Sequence, residues 1–246
     1  MDPVSVTAAS GLQSRMEALD LVANNLANTT TGGFKLDREF YSLFTAADEA
    51  SGDGASTTLP LIQKQWTDFS QGVLTPTGSS LDLALSGKGF FVATGPSGPV
   101  YTRNGSFQLS TSGVLTTSDG YPVRSAGGQP IQTQSQSPIE VSTDGSITQG
   151  GQTVGQLQIV DFQDRSVLQK LGNSYFTVSD PKAQPIPAAD ASVQQGKVEN
   201  SNVAPAESAV RLVGLMRQFE MLQKAITITT DMNKQALAEV ARTPGA

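Results

Sequence analysis

The chain has 246 residues, a net charge of −6, 15% charged and 37% hydrophobic side chains, and neither Cys nor His. It has no basic footprint for nucleic acid, no thiol for a disulfide or metal site and no imidazole, so Ser-His-Asp and Cys-His catalysis are excluded within it. No apolar run approaches the ~20 residues that span a bilayer, so no lipid insertion is expected. The opening "MDPVSVTAAS" lacks the basic and apolar regions of a cleaved secretory signal.

In chain order, the first expected element is a helix from Val4 to Asn28. Ala9, Leu12, Met16, Leu19, Ala23 and Leu26 recur at alternating three- and four-residue spacing, which is a heptad seam. Leu21 and Val22 add a second apolar side. Pro3 precedes the helix, where its missing N–H costs nothing, and Gly32-Gly33 closes the segment, residues 1–34. Asn24, Asn25 and Asn28 stand out on the last turns, because Asn competes for backbone groups inside helices. Asn28 suits a helix end, whereas Asn24 and Asn25 fall off the Leu seam and face either solvent or a hydrogen-bonded neighbour.

Residues 35–83 read as a partly flexible linker, with the Ser/Thr/Gly-rich run Thr45–Pro60 at its centre. Within it "FYSLF" spaces Phe40 and Phe44 like a short apolar helix end that docks on a core. Residues 84–179 are β-like. Asn104-Gly105 and Asp144-Gly145 each sit between short alternating runs and predict hairpins. Further strands are expected at Phe90–Ala93, Gly155–Phe162 and Ser174–Val178, with turns at Gly127-Gly128 and Gly150-Gly151. A second linker covers 180–204. The last element, 205–246, starts at Pro205 with Glu207 near the positive end of the helix dipole. Its seam runs through Ala209, Leu212, Met216, Phe219, Gln223, Ile226, Thr230, Asn233, Leu237 and Val240. A helix from Pro205 to Val240 would be roughly 50 Å long.

The fold class expected is therefore α+β. Long terminal helices pack as a coiled-coil-like layer, and a central antiparallel, hairpin-rich β domain lies outside it.

Chemical motifs fail on detail. "SGKGFF" lacks the first Gly of a phosphate loop, where Asp82 stands, and has Gly89 where Ser or Thr is required. Val92 replaces the third Gly of the dinucleotide fingerprint. A tight turn before a buried Phe strand explains the motif. Paired carboxylates could run a glycosidase without His, with Asp82, Asp119, Asp144, Asp161 and Asp164 as candidates, but Asp119 and Asp144 precede Gly in turns. No catalytic residue, metal ligand or cofactor is assigned. Against the structural reading stand a glycan-acting β-domain enzyme and an adhesin-like binding module.

Four blocks carry a resemblance: "ANNLANTTTGGFK", "LDLALSGKGFFVA", "YTRNGSFQLSTSGVLTTSDGYPV" and "VENSNVAPAE…MRQFEMLQKAI". In this order they resemble bacterial flagellar rod and hook axial proteins, and "RQFEMLQKAI" is most similar to the larger proximal rod protein, with the distal rod protein as runner-up. The resemblance implies a structural, non-enzymatic subunit of the periplasm-spanning rod, exported through the flagellar apparatus without a cleaved signal. Its partners would be other copies of itself, adjoining rod subunits and the export apparatus. Leu12, Met16, Leu19, Leu26, Leu212, Met216, Phe219 and Ile226 would pack the helices. Asn24, Asn25 and Asn28 would fix register between them, and Phe40 and Phe44 would form an export-recognition element.

Overall fold

A computed structural model describes residues 3–46, 57–133, 138–172, 174–180 and 182–242. Helix α1 spans Pro3–Ala27 and helix α2 spans Pro205–Arg242. Between them run β1 (Asp37–Ala46), β2 (Thr57–Thr67), β3 (Leu74–Pro76), β4 (Leu83–Ser86), β5 (Phe90–Gly95), β6 (Gly98–Thr102), β7 (Phe107–Leu109), β8 (Leu115–Thr117), β9 (Ile139–Val141), β10 (Ser146–Gln149), β11 (Gln152–Gln156), β12 (Ile159–Asp161), β13 (Leu168–Gly172), β14 (Tyr175–Val178), β15 (Ile186–Pro187), β16 (Ser192–Gln195) and β17 (Lys197–Glu199).

The chain forms two compact units. Among the described residues, those within 1–27, 37–66 and 204–246 form the helical unit, and those within 28–36 and 67–203 form the β unit. In the helical unit α1 packs on α2, and β1 pairs with β2. The 35–46 stretch that reads as linker and helix end is thus largely strand: Phe40 and Phe44 lie on β1. Their side chains fall outside the described residues, so the packing and export roles expected of them are not placed.

The expected coiled-coil-like layer of long helices is not what the chain builds. Among the described residues there are two α-helices and one short 3-10 helix, and the rest is strands and the turns that join them. The helix contact is a small cluster of Ala18, Leu21, Val22 and Leu215, with Leu19 and Leu212 at its margin. Lengths explain this: α1 has 25 residues and α2 has 38, about 38 Å against 57 Å of helix. One short helix does not cover the longer one, and β1–β2 takes the place of further helix in the same unit.

The β unit is built on a six-stranded antiparallel sheet in the order β13-β14-β6-β5-β12-β15. Strand β5 is buried on both faces. Phe90 and Val92 join Tyr101, Val160, Phe162, Leu168 and Phe176 in one core, while Phe91 joins Leu83, Leu85, Phe107, Val123, Ile147 and Val193 in the other. This explains "SGKGFF": Gly87 and Gly89, both at positive φ, turn the chain into the buried strand.

Asp144-Gly145 closes the β9–β10 hairpin, with Gly145 at φ 83°. Asn104-Gly105 does not close one, because β6 pairs with β5 and β14 while β7 pairs with β8. Gly105 serves close approach instead. A Cβ there would lie 1.6 Å from the Leu83 carbonyl oxygen, and the Gly105 carbonyl accepts from Leu83 N–H at 2.9 Å.

Candidate functional site

The helical unit leaves apolar helix surface exposed. On α1 the buried stripe is Ser14, Ala18, Leu21, Val22 and Asn25. The expected seam is displaced from it: Leu12, Leu19 and Leu26 are half-buried and Met16 is 54% exposed. On α2 the most covered positions are Ser208, Leu212, Leu215, Phe219, Leu222, Ile226 and Thr229, still at alternating four and three. Leu212, Phe219 and Ile226 fall on that stripe, whereas Met216 is half exposed beside it. Val210, Val213, Met221, Ile228 and Met232 also face outward. A helix that exposes this much apolar surface has unburied faces to cover.

The three asparagines separate. Asn25 is buried and pairs with one backbone residue from both ends of its amide: Nδ2 donates to the Asp37 carbonyl at 2.8 Å, and Oδ1 accepts from Asp37 N–H at 3.0 Å. It fastens the start of β1 to α1, so its hydrogen bonds do not go to the other helix. Asn28 closes the helix end by accepting Thr31 Oγ1–H at 3.0 Å. Asn24 is exposed. Arg211 on α2 pairs with Glu39 on β1, whose side chain is almost wholly buried.

The β unit contains a site that periodicity does not reveal. Lys35 and Glu199 are fully buried and Arg103 is nearly so. Lys35 Nζ lies 2.5 Å from Glu199 Oε1 and donates to the Ser70 carbonyl at 2.6 Å. Arg103 Nη1 meets Glu199 Oε2 at 3.0 Å, and its Nη2 donates to the Gly87 carbonyl at 2.6 Å. Glu199 Oε1 also accepts Gly72 N–H at 2.9 Å. Burial pulls both cations below their ordinary pKa values, and the Glu199 carboxylate opposes that pull.

Backbone contacts lock the same place. Gly33 N–H donates to the Glu199 carbonyl at 2.7 Å, and Leu36 N–H donates to Asn202 Oδ1 at 2.7 Å. Gly33 has φ 68°, and a Cβ there would lie 2.2 Å from Asn104 N. Phe34 is buried with the Lys170 ammonium over its ring, and Lys170 donates to the Lys35 carbonyl at 2.5 Å. The signal in the sequence is the charge itself: a Lys, an Arg and a Glu, each inside a short motif of a sparsely charged chain.

The candidate acids do not form an active site. Asp119 accepts from the Tyr175 hydroxyl at 2.8 Å, Asp161 pairs with Arg165, and Asp144 and Asp164 accept from Ser146 and Ser166 within local turns. Asp82 forms a backbone bridge with Ser106. Among the described residues no group of three acids could hold a metal.

Three family profiles match in chain order. "Flagella basal body rod protein" covers residues 6–35, "Flagellar hook protein FlgE/F/G D1 domain" covers 84–149, and "Flagellar basal body rod FlgEFG protein C-terminal" covers 194–239. Lys35, Arg103 and Glu199 fall one in each. The chain is 32% identical over 244 residues to flagellar basal-body rod protein FlgF of Caulobacter vibrioides, covering 98% of this chain and 99% of the relative. It is 34% identical over 264 residues to FlgG of Buchnera aphidicola subsp. Schizaphis graminum, covering 98% and 100%. To FlgG of Bacillus subtilis it is 30% identical over 260 residues, covering 95% and 97%.

Proposed function

We propose, for a chain that belongs to the flagellar basal-body rod protein family, that its terminal helices join copies into the rod while the β unit folds on its own. The protein is a structural subunit of the bacterial flagellar basal-body rod and not an enzyme. It works at the basal body, assembled with other rod subunits. The observation that carries the assembly reading is the apolar surface of α2, where Val210, Val213, Met216, Met221, Ile228 and Met232 lie open in the single chain. Burying such side chains between copies contributes roughly 1.5–3 kcal/mol each, and a filament repeats the gain in every subunit. Torque passes along the rod through these repeated contacts.

Within the family we favour the FlgF type, the proximal-rod reading. The 264-residue alignment to FlgG is longer than this 246-residue chain, so that relative carries residues without a counterpart here, whereas the 244-residue alignment to FlgF does not exceed it. Phe40 and Phe44 are proposed as the element read by the export apparatus. Replacing both by Ala blocks secretion under this reading. Normal secretion with failed assembly assigns them to packing instead. Assembly itself is tested by Met221→Asp, which places a charge on the outward apolar face of α2, a substitution that costs more than the lost contact once that face is desolvated.

A further inference from the structure

We propose that the Lys35–Glu199–Arg103 cluster is an ordered interlock: the Asn28–Leu36 segment docks only after Glu199 has been seated on Arg103. This rests on geometry inside the β unit and is independent of how copies assemble. The cluster joins three segments far apart in the chain, and two buried cations share the one fully buried carboxylate, while Asp68 acts more weakly on Lys35 and Asp161 more weakly on Arg103. A buried charge without a partner is strongly disfavoured, whereas a matched and hydrogen-bonded pair is tolerated.

The consequence is asymmetric. With Lys35 withdrawn, Glu199 and Arg103 remain a one-to-one pair. Glu199 keeps the Gly72 N–H, and Arg103 keeps the carbonyls of Leu85 and Gly87. Strand β17 still pairs with β3. With Glu199 withdrawn, Lys35 keeps the Ser70 carbonyl and the weaker attraction of Asp68, and Arg103 loses its strongest counter-charge. Lys35 therefore depends on Glu199 far more than Glu199 depends on Lys35. Backbone hydrogen bonds tie the two segments in both directions, Gly33 and Leu36 N–H donating to the Glu199 carbonyl and Asn202 Oδ1 and Asn202 N–H donating to the Phe34 carbonyl, so the order comes from the charges. The two segments concerned lead directly to the helices: α1 ends at Ala27 and α2 begins at Pro205. The interlock makes the α1 connection the releasable one and the α2 connection the fixed one.

Native-state hydrogen exchange on the full-length chain, read by peptide, tests this. In Lys35→Gln the amides of Gly33 and Leu36 are expected to exchange faster by roughly a hundredfold, while β17 and Asn200, whose N–H donates to Val73, keep wild-type protection. In Glu199→Gln both 29–36 and 197–203 are expected to open. Amides of β5, β6 and β14 report in each case that the sheet is intact. Loss of protection at β17 in Lys35→Gln overturns the order, as does unchanged protection of Gly33 and Leu36 in Glu199→Gln. Should Glu199→Gln fail to fold, Lys35→Gln alone still decides, because the order requires β17 to stay closed there.

Discussion

At the scale of single residues, polar groups do much of the specifying. Asn25 offers a donor and an acceptor on one planar group and meets the two backbone groups of Asp37. Asn25→Leu leaves both unsatisfied, so it is expected to destabilise the helical unit by about 1–3 kcal/mol, more than Asn24→Ala at an exposed position. Chemical denaturation followed by helix circular dichroism compares them. Tyr175 carries a pH prediction. Burial and the Asp119 carboxylate push its phenol well above the ordinary value of 10.0, opposed by a hydrogen bond with Thr117. The folded state therefore holds this proton more tightly than the unfolded chain. The contribution is fully present below about pH 10 and is lost as the pH rises above it. Tyr175→Phe is expected to flatten that alkaline slope in the β-unit melting temperature. The asparagines stand out in the sequence, but their partners do not, because Asp37 is twelve residues on across a turn. Lys35, Arg103 and Glu199 escape periodicity, since a buried charge follows no period and its partner lies elsewhere in the chain; only their charge within short motifs marks them.

At the scale of elements, both helices are legible from their three/four spacing, and so are Phe90–Ala93 and the Asp144-Gly145 hairpin. The phase is less legible. A helix with apolar residues on several sides supports more than one seam, and tertiary contact picks Leu21, Val22 and Leu215 over Met16 and Met216. The strands β1 and β2 are hidden because the Ser/Thr/Gly-rich run between them outweighs the pattern on either side. Gly105 misleads because glycine also marks places where another backbone segment comes close, as Leu83 does here. For α2 the expectation is concrete. Phe219→Asp leaves the β-unit melting transition unaltered, because that unit's cores contain no residue of either helix. Differential scanning calorimetry measures it, and a lost β transition would place α2 in the β core. In dilute monomer the half-exposed end of α2 beyond Leu222 is expected to exchange its amides faster than β5 and β14.

At the scale of the whole molecule, a division of labour joins sequence to function. The β unit carries paired strands and two closed cores flanking β5. The helical unit carries one small cluster and a long apolar helix whose outward face finds no cover within a single chain. On the assembly proposed above, the β unit folds alone and the helical unit is completed by neighbours. The family profiles follow the same plan, matching the two ends and the middle separately. The most direct test of this account is the incorporation of labelled Met221→Asp subunits, which charge the outward face of α2, into isolated basal bodies, scored by electron microscopy against labelled wild type. The account predicts wild-type label in the rod and none from the variant; variant label at the wild-type level would contradict it.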